Sequence, residues 1–512
     1  MAQDSLYVIG IGGTGAKCLD AMMKIASVGL LTEQPMRLLF IDADETNGNL
    51  ERSKLSLSVY QRNYQLLLGE QRDCPWMQTK VESYTPDVWS PFIGTNLNKN
   101  LGDFFGYNNL TQNHEELGYL FDVLYTKEER EANLDVGFRG RPAIGSGIMS
   151  RLDLDNLQDE PWASLIKQIK ADQGAGKASK IFLCGSIFGG TGASGLPTLG
   201  RLIHNKLEKE SVRDNVKLGC LFVLPYFQFS PPTGPEATKE VYASSDQFLL
   251  NTEAALQYYR DQNEYFDTVY LLGNQNFSKY EFSTGKNTQR NEPHFLELYA
   301  GLAARHFLMN TPANKGTVVL NSRNSREQID WNDLPEVPEV KKALVTGARF
   351  AYVWLSNIEP ELATAQKIGV NKFQKGAPWF IEFFKPEHGF MGKMLDKKGE
   401  ELPDFNNTKE QTAIRVITDW CKDYLRWILE FHQCDGDAVQ LFRYRAFNNL
   451  DGQLKGEYLS ELFYGDTRDK GRKDQDTVQT IKENLKPSYL NLSEPKTGTV
   501  GLAKALYKLC EL

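Results

Sequence analysis

Paired cysteines, closely spaced histidines and a signal-peptide pattern are all missing from this sequence. Its seven cysteines are scattered over 512 residues, none belongs to a Cys-x-x-Cys pair, and their odd number argues against a disulfide framework. The six histidines show no metal-ligand spacing. The N-terminus runs directly into an apolar segment of strand character and lacks the regions of a secretory signal. These absences predict a cytoplasmic protein with reduced thiols.

Long apolar runs and an excess of basic residues are missing too. No run approaches the roughly 20 apolar residues of a membrane helix, so no membrane span is expected. Lys and Arg total 58 against 66 Asp and Glu, and the net charge of −8 argues against nucleic acid as a main partner. The hydrophobic content of 41% is ordinary for a globular chain. At roughly 100–200 residues per domain, the length predicts two to four domains.

Two glycine-rich turns are the most informative features that the sequence does have. The first is Val8-Ile9-Gly10-Ile11-Gly12-Gly13-Thr14-Gly15, and the second lies within Cys184–Pro197. Each follows a short apolar segment and precedes a helical pattern. Glycine has no Cβ, so several backbone N–H groups can converge there on an anion. Two such turns in one chain indicate a phosphate-type ligand, although a tight turn without a ligand is the alternative for the first.

The order of predicted elements indicates an α/β fold. A strand ending at Gly10, a helix over 17–28 and a strand over 36–41 form a βαβ unit, which ends in Asp42-Ala43-Asp44. The alternation continues with strands at 180–184, 217–224 and 268–272 and with helices at 197–208, 236–260 and 293–309. We therefore predict a Rossmann-like, mostly parallel sheet with helices on both faces.

The acidic end of the second strand allows two kinds of nucleotide site. In a dinucleotide site, Asp42 would hold a ribose hydroxyl. In a mononucleotide site, Asp42 and Asp44 would lie near phosphates and Mg²⁺, and Thr14 would donate its hydroxyl. The second glycine turn favours a nucleoside triphosphate, because three phosphates carry several negative charges to be held.

Here the chain resembles the tubulin/FtsZ superfamily of GTPases, and in particular its bacterial tubulin-like members that are longer than FtsZ. The turn Phe188-Gly189-Gly190-Thr191-Gly192-Ala193-Ser194-Gly195 resembles the superfamily signature Gly-Gly-Gly-Thr-Gly-(Ser/Thr)-Gly. It differs by Phe188 in place of the first glycine and by a final Ser-Gly offset by one residue. The first turn resembles the first phosphate loop of FtsZ, and Asp44 matches the aspartate that faces phosphate and metal in that family.

The resemblance implies GTP or GDP with Mg²⁺ at the carboxyl ends of the strands, with Asp44 as the metal ligand. Ala143 and Gly145 fall in a third phosphate loop, Pro225 in a sugar-side loop and Asn274 near the base. The helix over 293–309 would be the central helix of that family. Phe295 and Tyr299, one turn apart on it, are candidates to stack on the purine or are ordinary core residues. The implied cofactor-binding residues are Gly12, Gly13, Thr14, Gly15, Lys17, Asp42, Asp44, Ala143, Gly145, Gly189, Gly190, Thr191, Gly192, Ala193, Ser194, Pro225, Asn274, Phe295 and Tyr299.

A catalytic loop is implied by Gln328-Ile329-Asp330-Trp331-Asn332-Asp333-Leu334, which resembles the FtsZ segment Asn-Val-Asp-Phe-Ala-Asp-Val. In that family two acids three residues apart reach the nucleotide of the next subunit and polarise the attacking water. Asp330 and Asp333 would take this role, which implies a GTPase that assembles head-to-tail into filaments. The alternative is a turn or helix cap. About 18 residues, 310–327, separate the loop from the central helix, unlike in FtsZ.

The sequence divides into three predicted regions. Residues 1–310 form the nucleotide-binding domain with its central helix, and residues 311–400 form a smaller α+β domain with strands at 318–320 and 349–355. Residues 401–512 form a helical C-terminal extension that contains a long amphipathic helix over 407–432. This helix is expected to pack on the first domain, or else to contact another protein.

Three functions are compatible with these patterns. The first is an assembling, filament-forming GTPase. The second is a nucleotide-binding tubulin-like adaptor, such as a component of a bacterial defence complex, with little hydrolysis. The third is a Rossmann-type enzyme that uses a dinucleotide or ATP.

Overall fold

The computed structural model describes most of the chain. The described residues are 5–31, 35–67, 75–92, 100–153, 160–231, 242–261, 265–283, 285–310, 315–320, 328–385, 402–434, 438–447, 458–487, 490, 492 and 495–512. The first residues of the helix predicted over 236–260 lie outside this set.

Within the described residues, nine strands pair in parallel throughout, which confirms the predicted Rossmann-like α/β class. Seven of them form one sheet in the order β3-β2-β1-β4-β5-β7-β9, and β6 and β8 form a separate pair. The strands are β1 Ser5–Ile11, β2 Met36–Ile41, β3 Val81–Trp89, β4 Ser179–Ser186, β5 Val216–Val223, β6 Phe227–Phe229, β7 Thr268–Leu272, β8 Ser278–Tyr280 and β9 Thr317–Val319.

Helices cover both faces of the sheet and form most of the C-terminal part. The α-helices of the described residues are α1 Gly12–Ser27, α2 Gly48–Leu66, α3 Leu101–Phe105, α4 Tyr107–Asn113, α5 Glu115–Leu124, α6 Lys127–Glu131, α7 Pro142–Ser150, α8 Trp162–Gly174, α9 Gly190–Lys209, α10 Phe248–Asp261, α11 Phe295–Met309, α12 Val337–Val353, α13 Glu359–Ile368, α14 Val370–Phe373, α15 Thr408–Leu429, α16 Tyr444–Phe447, α17 Lys470–Gln475, α18 Val478–Glu483 and α19 Gly498–Leu509.

The central strands are mostly apolar because both of their faces are buried. Along β1, Leu6 and Val8 belong to the core on one side of the sheet, and Tyr7 and Ile9 belong to the core on the other. This alternation follows from the two-residue period of a strand. A strand buried on both faces reads as a continuous apolar run, which is why the sequence identified β1 and β4.

The sheet order places a crevice between β1 and β4. Strands β2 and β3 extend from β1 in one direction, and β5, β7 and β9 extend from β4 in the other. In doubly wound sheets, ligands bind outside the carboxyl ends of the strands where the order reverses. Helix α1 begins at Gly12, directly after β1, and α9 begins at Gly190, shortly after β4. Both glycine turns therefore lie at this crevice.

The prediction of a second sheet after residue 310 is wrong for the two segments on which it was based. Residues 317–319 form β9, an edge strand of the main sheet that pairs with β7. Residues 349–355 lie in α12 and in the π-helix Trp354–Ile358 that continues it. The run Phe350 to Trp354 is fully buried, and a short apolar run does not distinguish a buried helix from a buried strand. The domain boundaries at 310 and 400 remain predictions.

The long helix α15 of the C-terminal part packs on α1 and α2 of the N-terminal part, as expected. Asn63 of α2 donates through its side-chain amide to the backbone carbonyl of Val416 on α15, at 2.9 Å. Lys24 of α1 forms an ion pair with Asp423 of α15, and Ser56 hydrogen-bonds the same carboxylate.

Among the described residues, no helix combines the length and the apolar character that crossing a membrane requires.

Candidate functional site

The two glycine turns touch each other at the crevice. Gly12 has a φ of +74°, and a Cβ there would lie 3.3 Å from Cβ of Thr191 and 3.4 Å from the backbone nitrogen of Gly192. A Cβ on Gly192 would lie 2.3 Å from the carbonyl oxygen of Ser186. Glycine is thus required at both positions, by backbone conformation at the first and by close approach at the second.

The helices that follow the two turns begin without caps. Neither Ile11 before α1 nor Gly189 before α9 supplies a side-chain cap, and neither first turn carries an acidic residue. The first N–H groups of a helix have no partner within the helix and carry a partial positive charge. Two such termini meet at one place, which is a chemically suitable cradle for phosphate oxygens.

A cleft at this place brings most of the predicted residues together. Its lining includes Gly12, Gly13, Thr14, Lys17, Asp42, Asp44, Gly189, Gly190, Thr191 and Gly192. Residues 136–140 and 280–283 lie on the other side. The volume of the cleft is about 150 Å³, which is less than the roughly 300 Å³ at the lower end of small-molecule sites. It fits phosphate groups, whereas a complete nucleotide would extend beyond it or displace a wall.

Asp42 connects the end of β2 to the second glycine turn. Its Oδ1 accepts hydrogen bonds from the Thr191 hydroxyl at 3.3 Å and from the backbone N–H of Asp44 at 3.2 Å. Burial raises the pKa of Asp42 to about 7, and the neighbouring charge of Asp44 adds to the rise. A cation bound in the cleft would stabilise the ionised form of this carboxyl group.

Asp44 holds the opposite wall in place. One carboxylate oxygen accepts from the backbone N–H and the hydroxyl of Thr46, and the other accepts from the backbone N–H of Lys286 at 2.6 Å. Among the described residues, no group of three or more His, Cys, Asp or Glu could hold a metal. Mg²⁺ needs only one or two carboxylates when phosphates complete its coordination. The residues therefore fit a metal bound together with phosphate, and metal binding by Asp44 stays a prediction.

Lys17 lies in the cleft wall but is already paired. Its ammonium is 2.5 Å from the Glu297 carboxylate of α11, and both side chains are buried. The rings of Tyr226 and Tyr280 each lie 5.7 Å from the Lys17 nitrogen. The Tyr226 hydroxyl also donates to Glu297 at 3.3 Å. Glu297 was missed by the sequence reasoning, because only the fold brings α11 against α1.

An aromatic wall faces the glycine turns, and the sequence reasoning missed it. It comprises Phe188, Tyr226, Phe227, Phe229, Phe248, Tyr280 and Phe282, all of which line the cleft. Phe188 takes the position of a signature glycine, and its ring lies 4.7 Å from that of Phe248. The signal available in the sequence was the cluster Tyr226-Phe227 and Phe229 directly after a predicted strand.

Four amides also line the cleft and were missed. Asn47 caps α2 and donates through its side chain to Gln289 at 2.8 Å, and Asn49 accepts from the backbone of Asn291 at 2.8 Å. They join the segment after β2 to the segment before α11. Their nearness in sequence to Asp44 was the only signal for the first two.

The other predicted cofactor residues do not line this cleft. A Cβ on Gly15 would lie 2.7 Å from the carbonyl oxygen of Cys184, and one on Gly145 would lie 2.3 Å from the hydroxyl of Ser194, so both glycines permit close packing. Ala143 and Ala193 line a separate groove. Pro225 is buried, and the side-chain amide of Asn274 donates to the carbonyl of Asn276 at 2.9 Å.

The aromatic residues of the central helix lie elsewhere as well. Phe295 is buried in the main core, with its ring 4.7 Å from that of His294. The Tyr299 hydroxyl donates to the backbone carbonyl of Asp333 at 3.0 Å. Both positions match the core-packing alternative.

The two predicted catalytic acids form a reciprocal cap outside the cleft. Asp330 accepts from the backbone N–H of Asn332 at 2.7 Å, and Asp333 accepts from the backbone N–H of Asp330 at 2.9 Å. The pair begins the 3₁₀ turn Trp331–Asp333 as a capping box. Asp330 is exposed. In this arrangement neither carboxylate faces the chain's own cleft.

Fold and cleft together define a doubly wound α/β protein with a glycine-lined cleft at its topological switch point. No protein-family model and no curated protein matches the chain. Among solved structures it is similar to CetZ from Methanosaeta thermophila, with a TM-score of 0.25, 14% identity and coverage of 60% of this chain and 54% of that one. It is also similar to the helical model of the TubZ-Bt two-stranded filament, with a TM-score of 0.24, 12% identity and coverage of 63% and 57%. The chain spans a little over half the length of each, and these scores are too low to bear on function.

Proposed function

We propose that this protein binds GTP with Mg²⁺ in the cleft, assembles head-to-tail as tubulin/FtsZ-like proteins do, and hydrolyses GTP at the contact between subunits. The observation that carries the proposal is the meeting of two uncapped helix N-termini and two glycine turns at the switch point of the sheet. Asp42 and Asp44 lie on the adjacent strand end. A triphosphate and a divalent cation are the ligand that this combination matches.

The phosphate-binding role falls to the backbone of the two turns. Gly12, Gly13, Gly190 and Gly192 would present N–H groups to phosphate oxygens, and Thr14 would add its hydroxyl. Asp44, with Asp42 beside it, would hold Mg²⁺. The chemistry that Mg²⁺ supplies when bound is neutralisation of the phosphate charge.

The base-binding role is assigned to the aromatic wall rather than to the central helix. Phe227 and Tyr280 line the cleft, whereas Phe295 and Tyr299 do not. Because the cleft is too small for a complete nucleotide, the base would displace this wall and stack on its rings. Aromatic rings offer flat apolar faces on which a purine stacks. The choice of guanine over adenine comes from the sequence resemblance, and nucleotide competition tests it directly.

Hydrolysis in this proposal depends on a neighbouring subunit. Asp330 and Asp333 lie outside the chain's own cleft, and Asp330 is exposed. They would therefore act on nucleotide held by the next copy, with residues 1–310 as the nucleotide-binding domain, 311–400 presenting the loop and 401–512 as the packed extension. The result is a site that becomes complete only on assembly, in the cytoplasm.

A second candidate is a nucleotide-binding adaptor with little hydrolysis. The observation in its favour is that both carboxylates of the 330–333 turn are engaged in capping. An acid that caps its own turn must give up hydrogen bonds before it polarises a water molecule, which costs roughly 1 kcal/mol per cap.

One experiment separates the candidates. GTP turnover is measured against protein concentration, together with pelleting and negative-stain imaging. An assembling GTPase shows a concentration threshold for turnover and for pelleting. Tight GTP binding without a threshold supports the adaptor. A preference for ATP or NAD over GTP contradicts the proposal and favours the Rossmann-type enzyme.

A further inference from the structure

Helix α5 presents an apolar face that the described chain leaves uncovered. Tyr119 is 67% exposed, Leu120 53% and Val123 83%. With Glu116 they follow the spacing i, i+3, i+4, i+7, so they share one side of the helix, opposite the buried Gly118 and Phe121. Apolar residues concentrated in this way mark interaction surfaces.

A groove beside the C-terminal end of α5, where the Tyr125 hydroxyl bonds the carbonyl of Ala143 in the groove lining, has complementary features. It lies between α7, α9 and α10 and measures about 710 Å³. Leu250, Ala254 and Tyr258 line it at a spacing of four residues, with Leu250 67% and Tyr258 45% exposed. Of the fifteen large hydrophobic side chains exposed among the described residues, five belong to α5 and three to α10.

The charges of the two surfaces are opposite. Arg141 and Arg201 line the groove, and Nε of Arg141 is buried without a hydrogen-bond partner among the described residues. Glu129 is the acid of the lining. Helix α5 carries Glu115, Glu116 and Asp122 and no basic residue. Asp122 is engaged by Arg130 within the chain, which leaves the two glutamates to face the arginines.

We propose that α5 of one copy docks into the α7–α9–α10 groove of a second copy. This is helix-in-groove recognition, in which i, i+3, i+4 and i+7 side chains serve as anchors. The contact is made once between each pair of copies, so it is heterologous and repeats into an open chain, whereas two reciprocal contacts would close a two-fold dimer. It is separate from the head-to-tail contact through Asp330 and Asp333, and it requires no nucleotide.

The size of the contact sets its expected strength. A ten-residue helix is about 15 Å long, and its outer face buries less than the roughly 800 Å² per partner of a stable interface. The association is therefore weak, at micromolar concentrations or above. It weakens as salt rises, because the charges lie at the rim.

A mixing experiment tests the heterologous contact by sedimentation velocity at low salt without nucleotide. Val123→Lys places a charge on the apolar face of α5 and leaves the groove intact. Leu250→Lys places a charge in the groove and leaves α5 intact. Each variant alone stays monomeric, and an equimolar mixture forms a heterodimer that grows no further. Leu55→Lys, which replaces a 59% exposed residue on α2, serves as the matched control and associates like the wild type.

A charge exchange gives the second arm. Glu116→Arg or Arg201→Glu weakens association at least tenfold, and the double variant restores it. A wild type that stays monomeric, a mixture without heterodimer, or a double variant no better than the singles overturns the proposal. None of these results touches GTP turnover, so failure of this contact is distinguishable from failure of the proposed function.

Discussion

The Lys17 ammonium lies 2.5 Å from the Glu297 carboxylate, with both side chains at most 4% exposed. The pair joins the helix after the first glycine turn to the central helix α11. Removing a charge from water costs several kcal/mol, which the partner recovers only when the geometry is close. The pair thus contributes little net stability, yet either partner alone is strongly unfavourable.

Glu297→Gln should lower the free energy of unfolding by about 3–5 kcal/mol, because it leaves an unpaired ammonium in the interior. The double variant Lys17→Met/Glu297→Gln should lose much less than the sum of the single variants Lys17→Met and Glu297→Gln. Urea denaturation of the four proteins gives the coupling energy. Glu51→Gln, which breaks a pair with Lys54 in which the side chains are 54% and 31% exposed, should cost less than about 1 kcal/mol. Additive single effects would show that the pair does not form.

Asp42 should make the stability of the protein depend on pH. Its pKa of about 7 in the folded state lies above the unfolded value of roughly 3.9. The folded state therefore binds more protons between these values, and stability falls as pH rises through this window. Asp42→Asn keeps an acceptor for Thr191 and removes the titration. Between pH 5 and pH 8 in urea unfolding, the free energy of unfolding should fall more for the wild type than for the variant. A difference between the two proteins that is independent of pH would contradict the raised pKa.

The glycine turns should tolerate no side chain. Gly12→Ala forces a non-glycine residue to a φ of +74° and brings Cβ against Thr191, which costs roughly 1–3 kcal/mol. It should weaken binding of GTP and of pyrophosphate at least tenfold, measured by calorimetry. Gly174→Ala is the matched control: a Cβ there meets nothing within 4 Å at the end of α8. Equal effects of the two substitutions would rule out the cradle.

The sequence was sufficient for the half of the site that is local in the chain. β1, α1, β4 and α9 were predictable because buried parallel strands and glycine turns leave strong, short-range patterns. The opposite wall was not predictable, since Gly285, Lys286 and Gln289 reach the cleft only through tertiary contacts with Asp44 and Asn47.

The errors have a similar origin. Phe350 to Trp354 form an apolar run that suits a strand, but the run is buried inside a helical region. Periodicity is uninformative for a segment that is apolar on every side. Phe295 and Tyr299 show the same limit: helix spacing fixes which residues share a face, and the fold decides what that face contacts.

The docking of α15 should be sensitive to acid. Burial alone would raise the pKa of Asp423, but the charges of Lys24 and Arg426 outweigh it and hold the pKa at about 2. A depressed carboxyl pKa contributes stability above pH 4 that is lost as pH falls towards 2. Asp423→Asn should cost about 3–5 kcal/mol at pH 7 and progressively less below pH 4. Asp419→Asn, one turn away at 44% exposure and 3.5 Å from Arg62, should cost less than about 1 kcal/mol. Equal costs would contradict a buried network.

The role of the 330–333 turn can be separated from its fold by substitutions at Asp333. Asp333→Asn keeps an oxygen to accept from the backbone N–H of Asp330 but carries no charge. Asp333→Ala loses both, at a cost of about 1 kcal/mol in stability. If the carboxylate acts on a neighbouring subunit, both variants bind GTP normally and lose at least tenfold in turnover. If the turn is only a cap, the Asn variant keeps full turnover.

Mixing decides whether such action occurs between subunits. Asp333→Asn has an intact cleft and a defective loop, and Gly12→Ala has a defective cleft and an intact loop. Since each supplies what the other lacks, turnover in the mixture should exceed the sum of the separate rates whenever a Gly12→Ala subunit presents its loop to an Asp333→Asn cleft. A fixed total protein concentration controls for the assembly threshold. A mixture no faster than the sum of the separate rates would contradict catalysis between subunits. It would favour the adaptor, because the capped Asp330 and Asp333 do not reach the cleft of their own chain.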